Sequence, residues 1–437
     1  MGKRVRVRHR EFTNSIIQRR AQSGKARGTF PREAAGLCHI EARGLARAET
    51  TFLPADKLKE SSVPAHPRFP ETFTDVRHNA REWFDAIRER WPKAEWHSEP
   101  LYPDEGLTFD WIEARRASAT QALVLTAGLH GVEGYAGAAM LELFVSEFLP
   151  RVNLETTGLY LVPVINPWGM VHYRRVNPQN VDLNRNFLNE EDYHRDLNPD
   201  YATLAPILHP ERPVAWRDRF LFYPRILGHI QRHGVTGLRN IFPQGQSIFP
   251  KGMHYTGRER QPEANALLAM LNHVLALHER VVIMDMHTGY GPKGLLTLVF
   301  PGKEPRTVEV LRQQIGYAQV TKVAGSDFYP IHGDLSSYLH ELARETPVRE
   351  LYTFALEVGT LGDAPLPQLR SMRALILENQ LYWYGATGKR VARWVREEFL
   401  ALFYPADREW RHRVVIQTRA VYTQVLTRLM EESGPAK

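Results

Sequence analysis

The chain has one cysteine, Cys38, in 437 residues. No intramolecular disulfide can form, and metal sites built from several thiolates are excluded. This favours a reducing, cytoplasmic setting. Also missing is any run of roughly 18 to 20 consecutive apolar residues, so no helical membrane span is expected. Internal repeats are absent. The opening stretch MGKRVRVRHREFTNSIIQRRAQSGKARGTFPR is short of acid, with ten Lys or Arg against one Glu. It also lacks the apolar core of a secretory signal. Such a start reads as a nucleic-acid arm, as an organelle address, or as a disordered tail or start codon placed too early. Much of the net charge of +7 lies there. The remaining chain is close to neutral, so any nucleic-acid contact is expected to be nonspecific and confined to the tail.

What is present is ordinary globular composition, 43% hydrophobic and 24% charged, in a chain long enough for a large core. Residues 1–65 show little periodicity and end in the turn-rich KESSVPAHPRFP, so they read as tail and linker. Order is expected from FTDVRHNAREWFDAIRERW (73–91), a helical pattern. Strand-like LTFDWIEA (107–114), QALVLTA (121–127) and LYLVPVIN (159–166) follow, with a helical AAMLELFVSEFL (138–149) between the last two. Residues 188–260 are rich in Pro, Gly, Asn and aromatics and read as long loops around short helices. Later come a helix (262–279), strands at 281–287 and 294–300, a helix at 307–318, a strand at 351–359, and a helical C-terminal segment. Alternating strands and helices predict a layered α/β sheet.

Chemistry-bearing groups gather at the carboxyl ends of these strands. GLHGVEGYAG (128–137) places His130 and Glu133 three residues apart directly after QALVLTA. His287 ends VVIMDMH, and Glu357 lies near the end of LYTFALEVG. Strand carboxyl ends are where open α/β sheets collect ligands. Two imidazoles and one carboxylate make a three-ligand set suited to catalytic zinc, leaving Glu357 as a base. Separately, each has a plainer reading: a tight turn, a core histidine, one half of an internal ion pair.

The stretch NPWGMVHYRRVNPQNVDLNRNF (166–187) decides between them. With HxxE before it and YPIHGDLSSY (329–338) and FALEVG (354–359) after it, the chain resembles the zinc carboxypeptidase superfamily, including its aspartoacylase and succinylglutamate desuccinylase branch. The match runs in order over about residues 70–380. It implies a three-layer α/β/α fold with a mixed central sheet, of the phosphorylase/hydrolase-like kind, spanning 66–437. It implies one Zn2+ held by His130, Glu133 and His287, with Glu357 as general base and Arg175 as oxyanion stabiliser. Asn184 and Arg185 would hold a substrate carboxylate, and Tyr329 would cover the bound substrate. Asp285, two places before His287, either orients that histidine or caps a neighbouring turn.

The resemblance thus implies a zinc hydrolase cleaving an amide beside a free carboxylate. Its substrate would be a small peptide, in a carboxypeptidase-like reaction, or an N-acyl amino acid, in a deacylase. Loss of a ligand or of the base would instead have indicated a binding protein on the same scaffold. Three departures bear on substrate: Trp168 stands where the family has the aspartate of NPDG, the linker between Arg175 and Asn184 is short, and 188–260 has no counterpart in a digestive carboxypeptidase. Within it, PQGQSIFPKGMHYTG (243–257) resembles loops in an uncharacterised bacterial branch of the superfamily and assigns no side-chain pocket, and Trp216, Phe220 and Tyr255 either line a mouth or pack under a loop.

Overall fold

The computed structural model describes residues 67–323 and 331–430. The tail and linker expected over 1–65, and Tyr329, lie outside the described residues. Eight strands build one mixed sheet: β1 (Glu95–Tyr102), β2 (Leu107–Ala114), β3 (Gln121–Ala127), β4 (Thr157–Val164), β5 (Arg280–Gly289), β6 (Leu296–Phe300), β7 (Val320–Lys322) and β8 (Glu350–Gly359). Their spatial order is β1-β2-β4-β3-β5-β8-β6-β7. The central four, β4-β3-β5-β8, run parallel, and antiparallel β2 and β6 flank them. β3, β4 and most of β5 are buried along their whole length, as a central parallel sheet covered on both faces requires.

Twelve α-helices, with short 3-10 and π turns among them, complete the described chain: α1 (Phe73–Arg90), α2 (Gly134–Leu143), α3 (Pro167–Val171), α4 (Glu190–Tyr193), α5 (Tyr201–Leu208), α6 (Asp218–Ile241), α7 (Pro262–Leu277), α8 (Val308–Ile315), α9 (Leu335–Leu342), α10 (Pro365–Tyr384), α11 (Lys389–Phe403) and α12 (Arg408–Val425). Alternation along the strands divides the core in two. Leu123, Leu125, Met284, Met286, Phe354 and Leu356 face a cluster with α1, α2, α8 and α12. Ala122, Val124, Val281, Ile283 and Leu351 face the opposite cluster, with α7 and α9. This is the expected three-layer α/β/α arrangement. Among the described residues no helix is long and apolar enough to cross a membrane.

The α1 boundary follows from a capping box, in which Thr72 Oγ1 accepts from the Asp75 N–H and Asp75 returns the bond to Thr72 N. One expectation needs correction. Residues 188–260 are not only loops around short helices, because α6 spans 24 residues, interrupted at Gly234 where φ is 80°. Pro224, Gly228 and Gly234 dilute its sequence pattern. The three aromatics of this stretch separate: Phe220 is 68% exposed, Trp216 stacks on Trp394, and Tyr255 is buried.

Glycine is required where β3 hands over to α2. Gly128 sits at φ 70°, a left-handed conformation, and turns the chain after the strand. Gly131 is pressed against the start of α3, and a Cβ there would lie 2.2 Å from the Gly169 carbonyl carbon. Replacing Gly131 by Ala should therefore force this loop off α3. Chemical denaturation should show a loss of about 1–3 kcal/mol, the ordinary cost of overpacking.

Candidate metal centre

His130 and Glu133 lie on the short turn between β3 and α2. Backbone bonds tie that turn to the segment bearing the arginines: Gly131 N–H donates to Arg175 O at 3.2 Å and Val132 N–H to Arg174 O at 2.9 Å. His287 comes from β5, and its partner in the parallel register with β8 is Glu357. Both project, with Asp285 and Thr126, to the α7 side of the sheet, because alternation sends their even- or odd-numbered neighbours the other way. Ligand atoms of His130, Glu133 and His287 lie within 4.8 Å of one another, and this is the only such group among the described residues.

The orientation of the ligands is set by other carboxylates. His130 Nε2 lies 3.0 Å from Asp182 Oδ1, which leaves Nδ1 to face Glu133 Oε1 at 2.9 Å. That Nδ1 is buried and among the described residues has no partner with hydrogen-bond geometry. His287 Nε2 lies 2.7 Å from Asp285 Oδ2, and its Nδ1 faces Glu133 Oε2 at 3.1 Å. Asp285 is steadied in turn by Thr126 Oγ1, which donates to Oδ1 at 2.6 Å. The alternatives for Asp285 thus resolve in favour of orienting His287. Each imidazole is anchored at one nitrogen and presents the other to a single carboxylate. This donor set fits a borderline divalent ion such as zinc.

Arg175 is the cation placed against the ligands. Nη1 donates to Glu133 Oε1 at 2.7 Å, Nη2 lies 2.7 Å from His130 Nε2, and Nε reaches Asp182 Oδ2 at 3.4 Å. Its neighbour Arg174 points elsewhere, into a buried cluster with Glu378, Asn180 and Asn379. Asn184 and Arg185 follow Asp182 on one short turn. Asn184 Oδ1 accepts from the Leu335 N–H at 3.1 Å, and among the described residues Nδ2 has no partner. Arg185 is buried, with Nε on Pro243 O at 3.0 Å and Nη1 on Asn184 O at 2.7 Å. Its Nη2 has no partner among the described residues.

Charge is concentrated here. Burial would raise the Glu133 carboxyl, but His130, His287 and Arg175 hold it well below the usual carboxylate range. Asp182 behaves likewise: burial opposes ionisation, while Arg175, His130 and Arg185 more than offset it. Burial pulls His287 down, yet Asp285 and Glu133 together keep it well above an ordinary histidine. For Glu357, burial and the neighbouring Glu133 push the carboxyl up to about 7, against partial relief from His287, the Tyr290 N–H and Arg175. That N–H donates to Glu357 Oε1 at 2.8 Å.

Every site residue named from the sequence falls in this region except Tyr329, which is outside the described residues. Two supporting groups were not singled out from the sequence. Asp182 stands within the quoted DLNRNF and was open to recognition there. His254, whose Nδ1 lies 2.9 Å from Asp182 Oδ2, arrives from 72 residues away with no pattern to announce it.

The fold and the site together define a three-layer α/β protein with a buried His–Glu–His ligand set. The chain belongs to the family described as "Protein of unknown function (DUF2817)", which matches residues 69–417. No curated protein matches it. Among solved structures it is similar to bovine thrombin-activatable fibrinolysis inhibitor, at 16% identity and a TM-score of 0.41 over 76% of this chain and 99% of that one. Carboxypeptidase A from Helicoverpa armigera is 14% identical, with a TM-score of 0.40 over 77% and 76% of the two chains. The murein-tripeptide amidase of Escherichia coli O157 is 17% identical, with a TM-score of 0.32 over 68% and 94%. These likenesses are distant, and the functional reading stands on this chain's own residues.

Replacing Asp285 by Ala should free the His287 ring and weaken zinc affinity about 10- to 100-fold in chelator competition, the usual effect of losing such a partner. Unchanged affinity would remove Asp285 from the site.

Proposed function

We propose that the chain is a zinc-dependent hydrolase of carboxypeptidase type, cleaving an amide bond next to a free carboxylate. One observation carries this reading. Two imidazoles and a carboxylate from separate strand ends converge on one point, and an acid with a raised pKa stands in register beside them. A divalent ion held by His130, Glu133 and His287 would polarise a substrate carbonyl and acidify a nearby water.

The chain's own groups supply the rest. Glu357, adjacent to His287 across the β5–β8 pair, takes the proton from the attacking water and passes it to the leaving nitrogen. Its raised pKa suits both transfers, because an acid poised near neutrality can accept and release a proton at little cost. A bound cation would stabilise the ionised form and move that value downward. Arg175 donates to the oxygen that gains negative charge, a contribution of about 3–4 kcal/mol where one such donor has been removed elsewhere. Asn184 Nδ2 and Arg185 Nη2 are the donors left to engage the carboxylate of the departing residue.

A deacylase acting on N-acyl amino acids would use the same groups. The Asp285–His287 pair favours keeping that reading, since DMHT is the form closer to the aspartoacylase branch. Zinc-loaded protein assayed against peptides varied at the C-terminus and against N-acyl amino acids separates the two by which panel is turned over.

Replacing Glu357 by Gln should abolish turnover with full zinc retained, because the base is not a ligand; metal analysis beside the assay checks both halves. In the wild type the rate should fall as pH drops through the Glu357 titration, since only the ionised carboxylate accepts a proton. Replacing Arg185 by Ala should reduce kcat/KM on carboxylate substrates by about 100-fold or more, the scale of a lost charge-assisted contact of 3 kcal/mol. Amidated analogues should change little, and equal losses on both would count against the clamp.

A further inference from the structure

The stretch 243–257, unassigned from sequence, forms a cradle around Val181–Asn186. Pro243 O accepts from Arg185 Nε at 3.0 Å, Tyr255 O accepts from the Asp182 N–H at 2.9 Å, and Thr256 O accepts from Asn186 Nδ2 at 2.7 Å. Gly245, at φ 92°, lets the backbone close on the Arg185 stem, where a Cβ would lie 3.1 Å from Cδ. From the same segment His254 extends Nδ1 to Asp182 Oδ2 at 2.9 Å.

Asp182 is fully buried, so each of its carboxyl oxygens needs donors from the protein. Oδ1 accepts from the Asn184 N–H at 3.1 Å and faces His130 Nε2 at 3.0 Å, a nitrogen that Arg175 Nη2 also approaches at 2.7 Å. Oδ2 has one short donor, His254, and a longer contact from Arg175 Nε at 3.4 Å. Arg175 Nε donates to Oδ2 and the Asn184 N–H donates to Oδ1, so the carboxyl group is the acceptor; His254 donates from Nδ1, and the neutral ring leaves Nε2 bare. That Nε2 is buried with no partner among the described residues, under the edge-on ring of Phe242 at 5.0 Å. The backbone at His254 is also left-handed, at φ 52°. An apolar side chain would fill this space without an orphaned nitrogen. What histidine adds here is the single Nδ1–H bond.

We propose that His254 is a positioning residue: by donating to Asp182 Oδ2 it holds the carboxylate square to His130 and keeps that oxygen from drawing Arg175 away from the ligands. Resting on the reading of His130 as a metal ligand, the proposal links 243–257 to both halves of the site, the carboxylate clamp through Pro243 and the ion through His254. Without the His254 donor, Oδ2 competes for the nearest cation, which is Arg175. The guanidinium then turns from Glu133 toward Asp182. The metal ligand loses a firm anchor, and the oxyanion donor is misplaced.

The test uses three variants of the full chain: His254→Gly, His254→Asn and His254→Gln. Glycine removes the donor while relieving the left-handed backbone, asparagine places an N–H near the Nδ1 position, and glutamine places one near Nε2. Zinc affinity by chelator competition should fall about tenfold or more in the glycine variant. It should recover in the asparagine variant and not in the glutamine variant. On whichever substrate panel is turned over, kcat should follow the same order with KM little changed. A crystal structure of the metal-free glycine variant should show Arg175 Nε moved from 3.4 Å to ordinary hydrogen-bond distance of Asp182 Oδ2. Wild-type affinity in the glycine variant, or rescue by glutamine instead of asparagine, overturns the proposal while leaving the metal site intact. If the wild type binds no zinc, the reading of the site fails instead. The crystal structure still decides: an unmoved Asp182 and Arg175 overturn the role of His254, and a displaced Arg175 supports it.

Discussion

Everything in this structure is arranged around buried negative charge. Glu133, Asp182 and Asp285 lie almost wholly out of solvent at one end of the sheet, with Glu357 beside them. Carboxylates do not stay ionised in such a place unless positive charge or donors surround them. Arg175 and Arg185 supply part of the compensation, and His287 supplies more by holding its proton against burial. A metal ion competes with that proton for the same nitrogen. The buried acids therefore make the centre cation-seeking, and pairing between them and the imidazoles fixes where a cation would sit.

The fold delivers this cluster by two simple devices. Parallel register sets His287 and Glu357 side by side, while the two-residue period puts Asp285 beneath His287 on the same face. Thr126, in register with Asp285 on β3, completes the layer. A close approach of two glycines, Gly131 and Gly169, then brings the His130–Glu133 turn onto the segment leading to Arg175. Slipping either β5 or β8 by one residue would turn its site residue to the α1 side of the sheet.

Much of this was legible in the sequence, for identifiable reasons. The buried strands β3, β4, β5 and β8 are largely apolar runs with polar groups at or just beyond their carboxyl ends, so both the element and its candidate functional end announce themselves. β1 was passed over because WHSEPLY is mostly solvent-facing and contains a proline, which is tolerable only on an edge strand. α6 was read as loop because its glycines and proline blur the helical period. Ligands are short-range patterns, HxxE or a histidine at a strand end. The groups that orient them are tertiary contacts: Asp182 lies 52 residues from His130, and His254 lies 72 residues from Asp182. No local pattern specifies such pairings. The DLNRNF motif pointed to Asp182 only by resemblance, and nothing pointed to His254.

The segment 188–260 also makes physical sense once the burial of Asp182 and Arg185 is considered. A buried guanidinium must have its donors satisfied, and two nitrogens of Arg185 bond to backbone carbonyls rather than to acids. Carbonyls satisfy the hydrogen-bonding demand while leaving the positive charge unneutralised. An acid in the same position would have cancelled it and abolished any attraction for a substrate carboxylate. At Asp182 the opposite sign is handled in the same way, by a neutral imidazole and backbone N–H groups in addition to cations. The inserted chain thus contributes Pro243 O to Arg185 and His254 Nδ1 to Asp182 without pairing these two charges with each other; in the function proposed above, Arg185 stays available to an anionic substrate and Asp182 to the imidazole of His130.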